Sequence, residues 1–551
     1  DARTVQDYEF WSAKTSNRGM GTSYAKNAVD KYTMFTLENM LFYDKTFNDK
    51  HTLGVTLLQS IQEDKRESVN VAMENLPADN LKYYDLGSGL VTNTIGSAMV
   101  KWNMASFMGR INYNYLGRYL LTVSARYDGS SRLADGHKWV LFPSAALAWR
   151  INEESFMSST SGWLDNLKLR LGFGKTGNSA VDPYQTKGTL SLIRYPFDNG
   201  GTPTIGYAPN AMANSLLTWE TTDQWNLGID FGVLRGRING TIDLYMQNTH
   251  DLLLKRQLPV VSGFPDVLSN VGKTRNKGIE VSINSMNINS KDFQWTTDLM
   301  LSSNKEEIVE LYNGKNDDIG SKWFIGQPVN VHYDYRKVGI WQNTESDLAE
   351  MAKFAANGTE FAPGDIKIQD VNGDYKITDA DKQILGNPRP KLIASMVNTF
   401  NYKGFDLSVF LYASFGAMLY NDIYAVEHCG RNGGVKVDYW TPNNPTNAYP
   451  RPSIDEERPI YITSTYYEKA DFLRVKTMTL GYTLPKTLTN KFLVEKLRVY
   501  FTAQNPFIFT NYTGIDPEAA KVNSAGNPET NGSGFGTPSV SSWIFGINLT
   551  L

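Results

Sequence analysis

One segment of the sequence places oxygen-bearing side chains at a spacing that suits a metal ion. It runs from Asp370 to Asp381 and reads DVNGDYKITDAD. Calcium takes six to eight oxygen ligands, and twelve-residue calcium loops supply them from positions 1, 3, 5, 7, 9 and 12. We therefore predict a calcium ion that braces this loop. Its ligands would be the side chains of Asp370, Asn372, Asp374, Thr378 (directly or through water) and Asp381, with the backbone carbonyl of Lys376.

The same segment departs from the calcium-loop pattern at two positions. Position 6 is Tyr375, where the sharp turn favours glycine, and position 12 is Asp381 rather than the longer glutamate. Positive φ is uncommon for a tyrosine. The alternative is a solvated turn rich in Asp and Asn that needs no metal.

No other residues form a pattern that indicates catalysis. The single cysteine, Cys429, follows His428, but neighbours in sequence do not define a catalytic pair. There is no Gly-x-Ser-x-Gly elbow and no phosphate-binding loop, so we expect no enzymatic activity. The formal net charge is −3 and there is no basic run, which argues against nucleic acid as a partner. The five histidines are scattered without metal-ligand spacing: His51, His137, His250, His332 and His428.

Aromatic residues in the segments between the predicted strands are candidates for substrate contact. Aromatic rings can stack on sugar rings or on peptide side chains. They can equally pack the loops together or meet a partner protein. The candidates are Tyr184, Tyr195, Trp323, Trp341, Tyr439, Trp440 and Tyr449.

The elements that position these residues follow a period of two. In 107–115 every odd position is apolar or glycine, and the same register resumes in 119–127 after a short turn at Gly117. Arg110 and Arg126 both lie on the other face. This pattern predicts an antiparallel hairpin, and its length suits a tilted transmembrane strand of roughly 9–11 residues.

The same alternation along the chain predicts about fifteen strands. Short connections alternate with long ones, of which the longest, 305–390, contains a predicted helix from Glu345 to Ala356. Outer-membrane barrels alternate short periplasmic turns with long external loops, whereas soluble sandwiches do not. The predicted strands are 32–44, 51–62, 107–115, 119–127, 142–150, 166–175, 219–232, 237–249, 276–287, 292–303, 391–401, 404–416, 471–484, 496–504 and 540–551. The predicted long loops are 63–103, 129–141, 176–218, 250–275, 305–390, 417–470 and 505–539.

The sorting of charge favours lipid over a protein core. The apolar face of the hairpin carries no charge, as a face in contact with lipid requires, since Lys or Arg there costs about 2–4 kcal/mol. The fold class predicted is therefore all-β: a transmembrane antiparallel β-barrel with long extracellular loops. No apolar run reaches the ~18 residues of a transmembrane helix.

The odd strand count also gives an orientation. If the last strand ends in the periplasm, alternation places residues 1–31 outside the cell as an extracellular loop segment. Because single-chain bacterial barrels have even strand numbers, residues 32–551 would be the C-terminal part of a larger barrel. The remaining strands would lie on a separate N-terminal portion.

Several long segments resemble one family in its own order. The resemblance is to the barrel of SusC/RagA-type TonB-dependent outer-membrane transporters, and it extends from about residue 30 onward. It implies a 22-stranded barrel, of which about fifteen strands lie here, closed by an N-terminal plug domain that lies outside this sequence with the first strands. The segments are FMGRINYNYLGRYLLTVSARYDGSSR, WLDNLKLRLGFGKTGN, VSGFPDVLSNVGKTRNKGIEVSIN, PGDIKIQDVNGDYKITDADKQILGNPRPK and DFLRVKTMTLGYTLP.

The resemblance implies an importer in the outer membrane of a Gram-negative bacterium. Its partners would be a SusD-like lipoprotein lid, the inner-membrane TonB complex acting through the plug, and membrane lipid. The cargo would be oligosaccharides or peptides, which the residues do not distinguish. Two alternatives stay open: an outer-membrane adhesin or structural barrel that binds surfaces through its loops, and a soluble multi-sheet carbohydrate-binding protein.

Overall fold

The computed structural model describes residues 1–14, 22–197, 204–421, 436–452, 459–492, 494–518 and 539–551. These residues form two compact units. Unit 1 comprises Asp1–Trp149, Leu171–Trp225 and Gln247–Lys273, and unit 2 comprises Arg150–Arg170, Asn226–Met246 and Thr274–Leu551.

Strands dominate the described residues. In chain order they are β1 (Ala2–Trp11), β2 (Tyr24–Phe47), β3 (His51–Glu74), β4 (Val91–Tyr115), β5 (Tyr119–Ser130), β6 (Trp139–Arg150), β7 (Leu164–Asn178), β8 (Thr189–Tyr195), β9 (Thr204–Ala211), β10 (Glu220–Val233), β11 (Ile238–His250), β12 (Leu253–Gln257), β13 (Asp266–Asn270), β14 (Lys273–Asn289), β15 (Phe293–Glu310), β16 (His332–Tyr335), β17 (Lys337–Ile340), β18 (Ile366–Ile368), β19 (Lys382–Gly386), β20 (Leu392–Tyr402), β21 (Phe405–Phe415), β22 (Met418–Tyr420), β23 (Tyr467–Lys469), β24 (Phe472–Thr483), β25 (Lys496–Thr510) and β26 (Ser542–Thr550).

One antiparallel sheet of 16 strands holds most of them. Its order is β1-β2-β3-β4-β5-β6-β7-β10-β11-β14-β15-β20-β21-β24-β25-β26, so neighbours in the sheet follow one another along the chain. The pairs β8–β9, β12–β13, β16–β19, β17–β18 and β22–β23 form small separate sheets inside the predicted long loops. The all-β, barrel-type prediction is confirmed.

The prediction that residues 1–31 form a loop is wrong in its secondary structure, because the segment contains a strand. Ala2–Trp11 is a strand whose register with β2 runs from Ala2↔Thr33 to Trp11↔Tyr24. Its sequence, ARTVQDYEFW, mixes polar with apolar side chains on both faces, so no apolar alternation marks it as a strand. The sheet therefore has 16 strands in the described residues instead of about fifteen. Its location outside the cell stays a prediction.

Strands β2 and β3 are about twice as long as the sequence predicts, and β4 is nearly three times as long. They contain 24, 24 and 25 residues, so the predicted loop 63–103 shrinks to the segment 75–90. The added halves of β2 and β3 carry charges on both faces and are held by pairing with neighbours, as where Arg66 of β3 meets Asp30 of β2 at 3.0 Å. In the added half of β4, Lys101 is the only charged residue. At about 3.4 Å per residue, such strands extend well beyond the length needed to cross a bilayer.

Helices are few and short. α1 (Glu345–Ala356) has the bounds predicted from the sequence, and its N-cap residue Thr344 accepts the backbone N–H of Asp347. α2 covers Lys486–Thr489. In the described residues no helix is both long and apolar enough to span a membrane. Single 3₁₀ turns occupy Asp79–Leu81, Leu86–Ser88, Ile151–Glu153, Ser155–Thr160, Gln185–Lys187, Val260–Ser262, Asp379–Asp381, Ile462–Thr465 and Asn490–Phe492.

The apolar face predicted to meet lipid is not covered by protein. Phe107 and Ile111 of β4 are half exposed, and Phe545 of β26 is 81% exposed. One polar pair interrupts this face. Asn39 of β2 and Gln59 of β3 lie directly opposite each other, and the Asn39 amide donates to Gln59 Oε1 at 2.7 Å.

Candidate functional site

The polar face of the strands carries networks of paired charges. In unit 1, Arg126 of β5 contacts Asp128 on its own strand at 2.7 Å. The same guanidinium donates to the Ser106 hydroxyl of β4 at 2.9 Å. Asp128 and Ser106 are buried. The face predicted to line the lumen thus holds charges that are already satisfied within the protein.

A second network in unit 2 joins three strands. Arg170 of β7 contacts Asp230 of β10 at 2.7 Å and Asp243 of β11 at 3.1 Å. Lys168 lies 3.5 Å from Asp230. A Cβ added at Gly228 would come within 2.5 Å of the Arg170 guanidinium, so a side chain there would displace it. Glycine at this position therefore leaves room for the arginine.

The same combination recurs further along the sheet. Arg498 of β25 donates to Asp406 of β21 at 2.9 Å, across β24. A Cβ at Gly481 of β24 would lie 2.4 Å from the Arg498 guanidinium and 2.6 Å from the Asp406 carboxylate. Neither network is among the features predicted from the sequence. The signal that could have revealed them is a glycine on the polar face of a strand flanked by strands that carry opposite charges.

Beyond the strand ends, the segment 311–391 and the described residues 417–421, 436–452 and 459–470 build a folded body. One cluster packs Ile340, Ile366, Ile368, Trp440, Ile462 and Tyr466. A second packs Trp341 against Met351 and Phe354 of α1. Trp341 and Trp440 are 1% and 6% exposed, so these two predicted loop aromatics pack the loops together.

The other loop aromatics differ in exposure. Tyr184, Tyr195 and Tyr439 are exposed at 48%, 61% and 46%. Trp323 and Tyr449 are half-buried. Three of the seven predicted aromatics are thus open to a ligand in the manner that stacking requires.

The pKa values of two lysines in this body are shifted in opposite directions. Burial lowers the pKa of Lys337 to about 8, and its Nζ donates to the Ala448 carbonyl at 2.6 Å. Burial also opposes the charge of Lys367, but hydrogen bonds to Glu350 and Asp347 outweigh it and raise the pKa of Lys367. The Lys367 ammonium also lies 4.1 Å from the centre of the Trp341 ring.

The predicted calcium loop is held by its own hydrogen bonds. The Asp370 carboxylate accepts the N–H groups of Gly373 (2.8 Å) and Tyr375 (2.9 Å). Asp381, which is fully buried, accepts those of Val371 (2.9 Å) and Thr378 (2.8 Å). Asn372 Oδ1 accepts the N–H of Asp374, and Asp374 Oδ1 accepts the N–H of Lys376.

The turn at position 6 has the backbone that calcium loops use. Tyr375 has φ of 56°, in the left-handed region. The centres of the Tyr375 and Phe354 rings lie 5.5 Å apart, and this packing stabilises the tyrosine in its strained backbone conformation.

Each carboxylate oxygen in this loop retains a further lone pair that an ion could use. However, no group of three or more His, Cys, Asp or Glu side chains in the described ranges is arranged to hold a metal. The calcium site stays a prediction.

Each unit contains a cavity of the size that takes small ligands. In unit 1 a cavity of about 530 Å³ lies among Trp102, Asp135, Lys138, Tyr184 and Lys187. In unit 2 a cavity of about 610 Å³ is lined by residues that include Glu360, Phe361, Asp365, Arg451 and Tyr461. Both combine aromatic rings with charged side chains.

A buried ion pair joins Arg474 to Asp516. Arg474 of β24, which the sequence analysis did not select, is 4% exposed and contacts Asp516 at 2.5 Å. Burial raises the pKa of Asp516, but the N–H groups of Glu518 and Ser539 and the charge of Arg474 hold it below its ordinary value. His428 and Cys429 lie outside the described residues.

Comparison with known proteins places this architecture in one family. The family model described as TonB dependent receptor-like, beta-barrel, matches residues 2–505. The chain belongs to the TonB-dependent receptor family. Members of this family are outer-membrane barrels of Gram-negative bacteria and are transporters, not enzymes.

Two curated TonB-dependent receptors illustrate the relationship. TonB-dependent receptor P3 of Formosa agariphila is 32% identical over 531 residues, which cover 93% of this chain and 52% of the relative. TonB-dependent receptor SusC of Bacteroides thetaiotaomicron is 35% identical over 434 residues, which cover 75% of this chain and 41% of the relative. The chain thus spans about half the length of the curated relatives it matches. The predicted SusC/RagA-type resemblance is confirmed.

Solved structures agree on the fold. The RagAB peptide transporter aligns with a TM-score of 0.81 and 22% identity over 100% of this chain and 59% of that chain. The RagAB importer in its open-open state also gives a TM-score of 0.81, covering 58% of that chain. At this identity the likeness supports the barrel-type fold of the TonB-dependent receptor and nothing finer.

Proposed function

We propose that the full-length protein imports nutrient oligomers, oligosaccharides or peptides, through the outer membrane with energy supplied by TonB. The observation that carries the proposal is family membership combined with the folded body of external segments. Trp341, Trp440 and α1 give that body its own core. The two cavities, with exposed Tyr184 in one and Arg451 in the other, supply aromatic and charged contacts for such cargo.

The partners proposed follow from the same relationship. They are a SusD-like surface lipoprotein that covers the external segments, the plug and N-terminal barrel portion of the same transporter, and the TonB complex. Lipid would contact the uncovered apolar face of the strands. Sequence similarity to SusC and the likeness to RagAB support this assembly.

Uptake by cells tests the function. A strain that lacks the gene, complemented with the full-length protein, should accumulate fluorescent oligosaccharides or peptides of one class at least about tenfold faster than the deletion strain. The matched control is the same protein without its TonB-contacting segment, which should bind cargo but not import it. Equal uptake by both complemented strains would reject TonB-driven import. The same assay decides between glycan and peptide.

Purification of the native complex tests the partner. A SusD-like lipoprotein should remain bound in stoichiometric amount after solubilisation. If neither lipoprotein nor uptake is found while intact cells still adhere to surfaces through this protein, the adhesin reading replaces the importer.

A further inference from the structure

The apolar face of β3, β4 and β5 contains a groove. Its volume is about 610 Å³, and eleven residues from β2 to β5 line it. Gly109 of β4 lies directly opposite both Leu57 of β3 and Ala125 of β5. A Cβ added at Gly109 would meet Leu57 Cδ2 at 3.7 Å, an ordinary contact, so the glycine leaves room for a larger group. Two small residues side by side thus form the floor of the groove.

Large apolar side chains flank these small residues along the strands. Phe107 and Ile111 are the next residues of β4 on the same face, and Tyr127 and Val123 are those of β5. All four are between 44% and 51% exposed, so protein does not cover the groove. The opening is one missing side chain wide on each strand. It suits a flexible hydrocarbon chain better than a helix, which is about 10–12 Å across.

Two levels of aromatic residues fix the depth of the groove in the bilayer. At one end of β6, Trp149 lies opposite Tyr119, and at the other end Trp139 packs on Tyr127, with ring centres 5.0 Å apart. Trp139 and Trp149 are ten residues apart along β6. At about 3.4 Å per residue and a tilt of about 40°, they span about 26 Å of height, close to the apolar band of roughly 25 Å in outer-membrane barrels. The groove lies inside this band, beside the Trp139 level.

A polar pair lies at one end of the groove. Asn39 and Gln59 line it, and Gln59 lies opposite Phe107. This row is two residues inside the Trp139 level, about 5 Å deeper in the bilayer, where headgroups give way to acyl chains. The Asn39 amide donates to Gln59 Oε1, and in the described residues no acceptor is found for the Gln59 amide nitrogen. Since an unpaired donor in hydrocarbon is costly, an acceptor oxygen from outside the protein would stabilise it.

The position of the groove separates the possible occupants. At this level β3, β4 and β5 each have a strand neighbour on both sides, so a further strand of the barrel, which pairs in the plane of the sheet, would not cover it. A plug domain would lie on the opposite face, the side of Arg110. A second copy of the protein would need about 20–30 residues on each side for a stable interface, whereas eleven line the groove. An acyl chain fits the width, and its linking carbonyl is the acceptor that Gln59 lacks.

We propose that this groove binds one acyl chain of the glycolipid in the outer leaflet of the outer membrane. The Gln59 amide nitrogen donates to the carbonyl oxygen that joins the chain to its headgroup, and the chain lies over Gly109 and Ala125. The choice of leaflet rests on the proposed outer-membrane function, because the connection 131–138, which leaves β5 beside Trp139, is then external. The site lies on the face away from Arg110, so the lipid does not compete with cargo in the lumen.

Lipid analysis of the purified full-length protein tests this proposal. After exhaustive washing in detergent, glycolipid should remain in stoichiometric amount, measured by the hydroxylated fatty acids that hydrolysis releases. Gly109→Leu fills the groove and should lower the retained glycolipid at least about tenfold. Ile111→Leu changes the shape of a neighbouring side chain on the same face at nearly constant volume, so this matched control should retain the lipid.

Two further variants separate the parts of the site. Ala125→Leu fills the groove from the next strand and should also lose the glycolipid. Gln59→Leu keeps the walls apolar but removes the donor, so its glycolipid should wash out earlier than that of the unchanged protein. An unchanged midpoint of heat-induced unfolding shows that each variant is folded.

The outcomes decide between the occupants. Loss of glycolipid from both filled variants, with retention in Ile111→Leu, supports the proposal. Equal glycolipid in all variants, phospholipid in its place, no retained lipid, or a dimer that dissociates in Gly109→Leu overturns it. Because the lipid is measured on purified protein, a failure of uptake would reject the transport proposal without changing this result.

Discussion

At the scale of single residues, the shifted pKa values of two lysines can be measured in the folded body of the loop segments. Lys337 should titrate near pH 8 because burial disfavours its ammonium form. The unfolded lysine titrates near 10.5, so between these values the unfolded state binds more protons, and the stability of this body rises with pH over that window. Below about pH 8 both states are protonated and the contribution is constant.

Nuclear magnetic resonance of ¹³C-methylated lysines in the detergent-solubilised protein measures this directly. The signal that disappears in Lys337→Arg belongs to Lys337, and its chemical shift should titrate with a midpoint of about pH 8. The signal of Lys367, whose pKa is raised, should not titrate near that pH. A Lys337 midpoint at the ordinary value would mean that the side chain is solvated.

The calcium prediction also belongs to this scale. If the ion binds, calorimetric titration of the full-length protein should show one saturable site below millimolar calcium, since the site supplies three carboxylates. Asp370→Asn should remove it, because Asp370 is the first predicted ligand. Asp379→Asn is the control, since Asp379 lies in the same loop but pairs with Lys382 instead. Absence of binding at millimolar calcium leaves the hydrogen-bonded turn as the complete description.

At the scale of elements, ion pairs on the polar face fasten neighbouring strands. Arg170→Met should destabilise the barrel by roughly 1–2 kcal/mol, because Asp243 would lose its cation and Asp230 would keep only Lys168, at 3.5 Å. The partial exposure of these side chains keeps the loss small. Adding Asp243→Asn to Arg170→Met should recover part of that loss. The measurement is the midpoint of heat-induced unfolding on gels. An unchanged midpoint in the single variant would show that solvent and Lys168 satisfy both carboxylates without the arginine.

The folded body of the loop segments should lose its structure independently of the barrel strands. Trp341→Ala is expected to cost the body about 3–5 kcal/mol, since the indole is fully buried against α1. Limited proteolysis should then cut within 311–391, while the midpoint of heat-induced unfolding of the barrel should stay unchanged. Tyr439→Ala, at an exposed aromatic, is the control and should leave the loops resistant. Loss of the barrel transition with Trp341→Ala would show that body and strands unfold together.

The sequence predicted elements where one face is uniformly apolar and missed them where it is not. β5 alternates strictly and was found with nearly its full length. The outer halves of β2 and β3 carry charges on both faces, and β1 and the outer half of β4 mix polar with apolar side chains on each face, so no apolar period remains to detect. α1 was found because Asn343-Thr344 signals its start.

The site was less predictable than the elements. Contacts such as Arg170 with Asp230 join residues 60 positions apart, and their spacing along the chain carries no trace of the pairing. The role of Gly228 becomes visible only when the guanidinium beside it is placed. Among the loop aromatics, burial depends on how separate segments pack, so the sequence could not distinguish Trp341 from Tyr184.

At the scale of the whole molecule, the orientation of the strands can be read by chemical labelling. In a Cys429→Ser background, Arg118→Cys in the short β4–β5 turn should resist a membrane-impermeant maleimide in intact cells, since that turn is predicted to be periplasmic. Asp135→Cys in the connection between β5 and β6 should react, and Asp135 is strongly exposed. Position 118 is preferable to Gly117, whose φ of 70° disfavours a side chain. Labelling at 118 but not at 135 would invert the topology.

The Asn39–Gln59 pair has a consequence for how the strands find their alignment. Moving β2 by two residues along β3 keeps every side chain on its own face, so the apolar pattern alone cannot reject that error. It would, however, leave both amides facing hydrocarbon without partners, at a cost of several kcal/mol. These two polar side chains in an apolar band therefore favour the observed register of β2 on β3 and penalise a register displaced by two residues as the strands pair.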